Sequence, residues 1–225
     1  MLKNSVLFLG REGDSYSLRI TKILEENFEH VLIKYGSGHG TALDSVFDDW
    51  SGDYIFSFRC HHILTQRQIS KAKIGAINFH PGPPEYRGIG CVNWALFDKA
   101  NEYGSTAHLI SPKIDAGRIL DVRRFNVSDE DTVKGVLLKA YEENVRQVHD
   151  IVEHIARGRT VDALADTCRD QWQGECRTMR ELDDLYHISL DIDEELLERI
   201  IRATTYNEWA PHITLHGRKF KLVQD

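Results

Sequence analysis

The sequence predicts an α/β protein: a Rossmann-like open, mostly parallel sheet with helices on both faces, followed by a small C-terminal helix and hairpin appendage. Two observations predict it. Short apolar runs closed by turn residues alternate with stretches of helical spacing through the first two-thirds of the chain. That alternation then breaks at a loop holding three of the five prolines, directly after an apolar run. The composition is that of a globular protein able to bury a core: 225 residues, 41% hydrophobic and 28% charged.

Val6–Leu9 is the first strand and Gly10 closes it. Leu18, Ile20, Ile23, Leu24 and Phe28 give residues 15–28 a helical spacing. Val31–Tyr35 is the second strand, Asp53–Phe58 the third and Ile74–Phe79 the fourth, with a short helix over 65–72 capped by Thr65. A helix over 91–99 precedes two further strands, Ser105–Ile110 and Arg118–Phe125. The longest helix spans 131–157. Val133, Val136, Ala140, Val148, Ile151 and Ile155 lie on its apolar stripe, Ser128 with Asp131 caps it and Gly158 ends it. Residues 160–189 read as polar and irregular. Asp191 is expected to cap a helix over 193–203, and a hairpin of 213–216 and 219–222 turns at Gly217. These signals divide the chain into a catalytic domain, 1–159, and an appendage, 160–225.

Charge and cysteine usage exclude several classes. The formal net charge of -7 argues against non-specific nucleic-acid or membrane-surface binding, which needs clustered Lys and Arg. No apolar run approaches the ~18 residues of a membrane span, and residues 1–10 read as a strand rather than a signal, so a cytoplasmic protein is expected. Cys60, Cys91, Cys168 and Cys176 form no Cys-x-x-Cys pair and are expected to be free thiols. His61-His62 and the pair His149/His154 lack metal-ligand spacing, so no metal is expected. Gly36-Ser-Gly-His-Gly40 mimics a dinucleotide fingerprint but follows the second strand rather than the first.

The stretch that carries chemistry is Ile77-Asn-Phe-His-Pro-Gly-Pro-Pro-Glu-Tyr-Arg-Gly88. Asn78 and His80 are two apart on a strand and share a face, so two N–H groups can meet one oxygen atom and stabilise an oxyanion. The same pattern also describes a satisfied core histidine beside a turn-forming asparagine. The loop leaves the strand at its carboxyl end, where open α/β sheets bind ligands. Asp115, in Lys113-Ile-Asp-Ala-Gly117, is a turn residue on its own terms. Folded over the fourth strand's end, it would stand beside His80 and favour imidazolium.

Asp53-Tyr-Ile-Phe-Ser-Phe58, Ile77-Asn-Phe-His-Pro81, Tyr86-Arg-Gly88 and Ile114-Asp-Ala-Gly-Arg-Ile119 resemble the folate-dependent formyltransferase superfamily. The resemblance runs from about Asp53 to Arg157 and implies the formyltransferase fold, with Asn78, His80 and Asp115 as the catalytic trio. It places the co-substrate N10-formyltetrahydrofolate at His61, His62, Ile63 and Leu64, and at Ser111, Lys113, Ile114 and Asp115. Thr178-Met-Arg-Glu-Leu182, Ile201–Tyr206 and Ile213–Phe220 resemble the amino-sugar N-formyltransferases, as does the Gly-Pro-Pro-Glu-Tyr form of the loop. The implied acceptor is a UDP-, dTDP- or GDP-linked amino sugar, a building block for surface polysaccharide such as lipopolysaccharide O-antigen. Arg11, Pro83, Glu85, Tyr86, Arg87 and Trp94 are its candidate contacts; Arg11, Arg59, Arg87 and Trp94 could hold a diphosphate and a base, although each of these four taken singly reads as a surface or packing residue. Apart from the resemblance, the C-terminal hairpin is expected to pair edge to edge across a homodimer, because an exposed edge strand invites a partner. Two other readings stand beside the amino-sugar one: phosphoribosylglycinamide formyltransferase, and a non-catalytic folate-binding protein.

Overall fold

The computed structural model describes residues 1–37, 43 and 45–223. The glycine-rich fingerprint mimic therefore falls partly outside the described residues, at 38–40.

In chain order the elements are β1 (Leu2–Arg11), α1 (Ser15–Asn27), β2 (Phe28–Gly36), α2 (Val46–Asp49), β3 (Gly52–Phe58), α3 (Gln66–Ile69) and β4 (Ala72–His80). There follow α4 (Cys91–Phe97), β5 (Glu102–Leu109), β6 (Ile119–Asn126), α5 (Val133–Ala156), α6 (Val161–Thr167), α7 (Met179–Leu185), α8 (Glu194–Thr204), β7 (His212–Leu215) and β8 (Arg218–Lys221). The main sheet has the order β2-β1-β3-β4-β5-β6. β2, β1, β3 and β4 run parallel; β5 and β6 are antiparallel. This is the open, mostly parallel α/β sheet that the sequence predicts.

Side-chain caps open most of the helices, though not α2 or α4. Asp14 accepts from the Ser17 N–H at 2.8 Å and opens α1. Thr65 and Gln68 form a reciprocal capping box at α3. At α5 the expected cap is corrected: Thr132 accepts from the Gly135 N–H, whereas Asp131 accepts from the Ser128 N–H in the preceding turn. A second correction falls at α8, where Asp193, not Asp191, accepts from the Leu196 N–H. Within 160–189 the structure has two short helices, each opened by a threonine cap, Thr160 for α6 and Thr178 for α7. They are too short to show a hydrophobic period, and a cap three residues ahead of its target is the only local signal. The same brevity hid α2.

Burial follows the layers. Phe8, Phe56, Ile77 and Phe79 of the sheet pack with Leu24 of α1 and Val148, Ile151 and Val152 of α5. Leu7, Leu9 and Ile55 on the opposite face meet Phe47 and Leu64. A third cluster joins α4, α5 and α8 through Leu96, Val136 and Ala203. Strand order reverses between β1 and β3, so the connections leaving their carboxyl ends pass to opposite faces of the sheet, the position where open sheets form a ligand crevice.

Candidate active site

β4 carries Asn78 and His80 to the carboxyl edge of the sheet, and its antiparallel neighbour β5 sets His108 directly opposite Asn78. The Asn78 amide donates to His108 Nε2 at 3.2 Å. His108 Nδ1 donates to the Leu109 carbonyl at 2.9 Å. A carbonyl only accepts, so Nδ1 holds the proton and Nε2 is free to accept from the amide.

Asp115 reaches the same place from the β5–β6 connection. Its Oδ2 lies 3.4 Å from His80 Nδ1, and its Oδ1 lies 3.5 Å from His108 Nε2. The Gly88 N–H donates to Oδ2 at 2.9 Å. Burial opposes charge on Asp115; attraction to His80 and the hydrogen bond from the Gly88 N–H act against it, and the carboxyl lies below its usual range. The turn that delivers Asp115 is tight. Asp115 itself has φ of 43°, a conformation aspartate tolerates better than most residues. Gly117 passes so close to the Leu109 carbonyl that a β-carbon there would collide with it, which is the physical reason for glycine two residues after the aspartate.

Asn78, His80 and Asp115 are therefore neighbours, although Asp115 is far from the other two in sequence. One detail differs from the expected geometry. His80 Nε2 donates to the Tyr86 carbonyl at 3.0 Å instead of pointing to the oxygen that Asn78 would meet. The rigid loop that follows β4 turns back through Tyr86 and supplies that acceptor.

Two cavities meet at this cluster, and both are lined by Cys60 and Asn78. One, of 160 Å³, is lined by His62, Ile63, Leu64, Ser111, Lys113, Ile114 and Asp115, with Asn78 and His108 at its inner end. Those are the predicted folate contacts except His61, which lines the other cavity. Apolar side chains of Ile63, Leu64, Ile110 and Ile114 beside an amide, an imidazole and a carboxylate could hold a flat polar-edged ring such as a pterin, and Ile63 and Ile114 are themselves exposed to solvent. The second cavity, of 300 Å³, is lined by Arg11, Arg59, His61, Asn78, His80, Pro81, Gly88 and Tyr141. Arg11 ends β1 and Arg59 follows β3, on either side of the sheet's switch point. Arg59 pairs with Asp14 and lies over the Tyr141 ring.

The remaining predicted acceptor contacts scatter. Arg87 donates to the Asp115 carbonyl at 3.4 Å. Pro83 is buried in the turn where its carbonyl accepts from the Tyr86 N–H. Burial, then the nearby Asp98, pushes the Tyr86 hydroxyl up to about 12. Glu85 pairs with Arg124 at 2.9 Å. Trp94 donates to the Ile89 carbonyl and lies beneath Arg177. None of Pro83, Glu85, Tyr86, Arg87 and Trp94 lines the second cavity. Sequence reasoning missed two residues of the cluster, His108 and Trp172. His108 had a signal, a histidine within a strand otherwise made of small and apolar residues. Trp172 had none.

The open α/β sheet gathers an amide, an imidazole and a carboxylate at the junction of two cavities, an arrangement chemically suited to passing a group between two bound molecules. The chain belongs to the formyl transferase family, whose model matches residues 14–151. It is 35% identical over 88 residues to the bifunctional polymyxin resistance protein ArnA of Wigglesworthia glossinidia brevipalpis, a match covering 39% of this chain and 14% of that protein. Among solved structures it resembles a 4-N formyltransferase from Francisella tularensis, with TM-score 0.78 and 16% identity over 98% of this chain and 97% of that one. It also resembles an N-formyltransferase from Helicobacter canadensis in complex with folinic acid and dTDP-3-aminofucose, with TM-score 0.72 and 15% identity over 97% and 86% of the two chains. HypX from Aquifex aeolicus in complex with tetrahydrofolic acid gives TM-score 0.69 and 20% identity over 98% of this chain and 37% of that one.

Proposed function

We propose that the protein transfers the formyl group of N10-formyltetrahydrofolate to the amine of a nucleotide-linked amino sugar. The observation that carries this reading is the meeting of two cavities at Asn78, with His80 and Asp115 within contact of each other. The folate enters the smaller cavity and presents its formyl carbon beside Asn78. The acceptor enters the larger one, where Arg11 and Arg59 offer positive charge to a diphosphate.

Within this reading the neutral amine is the nucleophile, so the chain needs no covalent intermediate. The Asn78 amide has a second N–H beyond the one given to His108, and it meets the formyl oxygen as negative charge develops there. His80 adds its charge when its ring leaves the Tyr86 carbonyl. Asp115 keeps that ring oriented and takes the surplus proton from the attacking nitrogen, directly or through a water; the tetrahedral adduct then collapses, the bond from the formyl carbon to N10 breaks, and that proton passes to N10 of the departing tetrahydrofolate. The buried setting of His80, His108 and Asp115 strengthens each of these interactions.

A cytoplasmic setting, a product used for surface polysaccharide and a homodimer through the C-terminal hairpin belong to the same reading. Every residue of β8 is exposed, and an unpaired edge strand accepts a partner.

The experiment is a thermal-shift screen of the purified protein against UDP-, dTDP- and GDP-linked amino sugars with folate present, followed by an assay for the N-formyl product. A ligand at a hundred times its Kd stabilises the native state by ~2.7 kcal/mol. Formylation of none of these sugars, with formylation of glycinamide ribonucleotide instead, would replace the acceptor. Folate binding with no transfer to any amine would end the enzymatic reading.

A further inference from the structure

The segment after α6 crosses the catalytic face. Its Gln173 N–H donates to the Pro84 carbonyl at 3.1 Å, the Arg177 N–H donates to the Arg87 carbonyl at 3.1 Å, and the Ile89 N–H donates to the Arg177 carbonyl at 2.9 Å. Residues 173–177 thus run beside the proline-rich loop as a short parallel pairing, centred on Gly88 and Arg177. Arg124 clamps the start of the segment: its Nη2 lies 2.9 Å from Glu85 of the loop and 3.0 Å from Asp170.

Between these anchors the chain inserts Trp172. The indole packs against both active-site histidines, with ring centroids 6.0 Å from His80 at 70° and 5.0 Å from His108 at 86°. Its Nε1–H donates to the Gly117 carbonyl at 2.7 Å, in the turn that delivers Asp115. On its other side Trp172 lines an open 400 Å³ cavity with Gly117, Arg118, Cys168 and Arg169. It lines neither of the two cavities assigned to the substrates. One side chain therefore touches His80, His108 and the Asp115 turn, and stands between them and an open pocket.

We propose that Trp172 is a positioning residue: it locks the two histidine rings and the Asp115 turn in one arrangement, so that the catalytic centre is completed by a segment beyond the family-matched residues 14–151. This rests on the formyl-transfer reading for its kinetic consequence, but not for its structural one. A T-shaped aromatic pair is worth ~0.5–1.5 kcal/mol beyond buried area, enough to hold a ring in one rotamer. The indole N–H adds a directional tether to the Gly117 carbonyl, which a phenylalanine ring lacks. Truncating the ring would leave the histidines open on that side to the solvent-filled pocket.

The test compares the full-length wild type with Trp172→Phe, which keeps an aromatic ring but loses the tether, and Trp172→Leu, which loses both. Long-range ¹⁵N–¹H spectra of the imidazole rings need no substrate. The His80 and His108 ring nitrogens should shift in Trp172→Leu and lie between the two extremes in Trp172→Phe. In the transfer assay kcat should fall ~10–100-fold in Trp172→Leu with both KM values little changed, and recover in part in Trp172→Phe, because a displacement near 1 Å costs about that much. Unmoved ring nitrogens, or a folded Trp172→Leu with wild-type kcat, would overturn the proposal, as would a loss confined to KM. If Trp172→Leu does not fold, Trp172→Phe decides on the same two readings. Absence of formyl transfer in the wild type would remove the proposed function, while the nitrogen shifts would still decide the role of Trp172.

Discussion

Replacing Gly82 by alanine places a methyl group on the hydrogen bond that orients His80. The added β-carbon would lie 2.7 Å from His80 Nε2, 2.8 Å from the Tyr86 carbonyl oxygen and 3.2 Å from the Cys91 β-carbon. Ordinary contact for such atoms is ~3.4 Å, so the first two must give way by about 0.7 and about 0.6 Å. The backbone cannot retreat easily, because the Gly82 carbonyl is held by the buried Thr106 hydroxyl at 2.8 Å. Tyr86 is fixed by its own N–H on the Pro83 carbonyl. The imidazole is therefore the group that moves, and it leaves the Tyr86 carbonyl. Overpacking of this kind costs ~1–3 kcal/mol of stability. A chain of this length loses roughly 2–4 °C of Tm per kcal/mol, readable by calorimetry. A ring displaced by part of an ångström should lower kcat by ~10–100-fold. Gly158→Ala is the control: nothing lies within 4 Å of its added methyl, and its φ of 73° confines the cost to backbone strain of ~1 kcal/mol far from the site. If Gly82→Ala kept the Tm and kcat of the wild type, the account of His80 as a ring held by the loop would be wrong.

Three further outcomes are expected. Asn78→Ala and His80→Ala should each lower kcat by ~10²–10³ while the protein still melts cooperatively, and near wild-type turnover in both would end the oxyanion assignment. Asp115 is held below the usual carboxylate range, so the stability it contributes is complete above its unfolded value of ~3.9 and fades as pH falls through the lower folded value. Chemical denaturation across that window should show the wild-type advantage over Asp115→Asn shrinking toward acid, and a constant difference would count against the pairing. Arg124→Met should cost ~1 kcal/mol, because its ion pairs with Glu85, Glu102 and Asp170 are partly exposed. High salt should reduce that difference, and hydrogen exchange should quicken in residues 170–177; unchanged exchange there would show that Arg124 does not hold the segment.

The sequence by itself determined the sheet, the long helix and two parts of the site, because each is written at short range. Alternating apolar runs fix strands, a stripe of apolar residues fixes α5, and a two-residue separation puts Asn78 and His80 on one side of β4. It also marked Asp115 through the glycine that its turn requires. Tertiary structure alone decided the rest. His108 became part of the cluster through the β4–β5 register, which pairs residues thirty positions apart. Trp172 arrived from a segment with no periodicity, carried there by backbone pairing with a loop that lies far back along the chain. The acceptor-side expectations scattered for the same reason. Arg87, Glu85 and Trp94 are adjacent to the motif in sequence, yet the turns of the proline-rich loop send them to Asp115, Arg124 and Arg177 instead of the cavity. Local pattern specifies which residues share an element; which elements share a site depends on how the whole chain closes, and one residue's neighbours cannot state that.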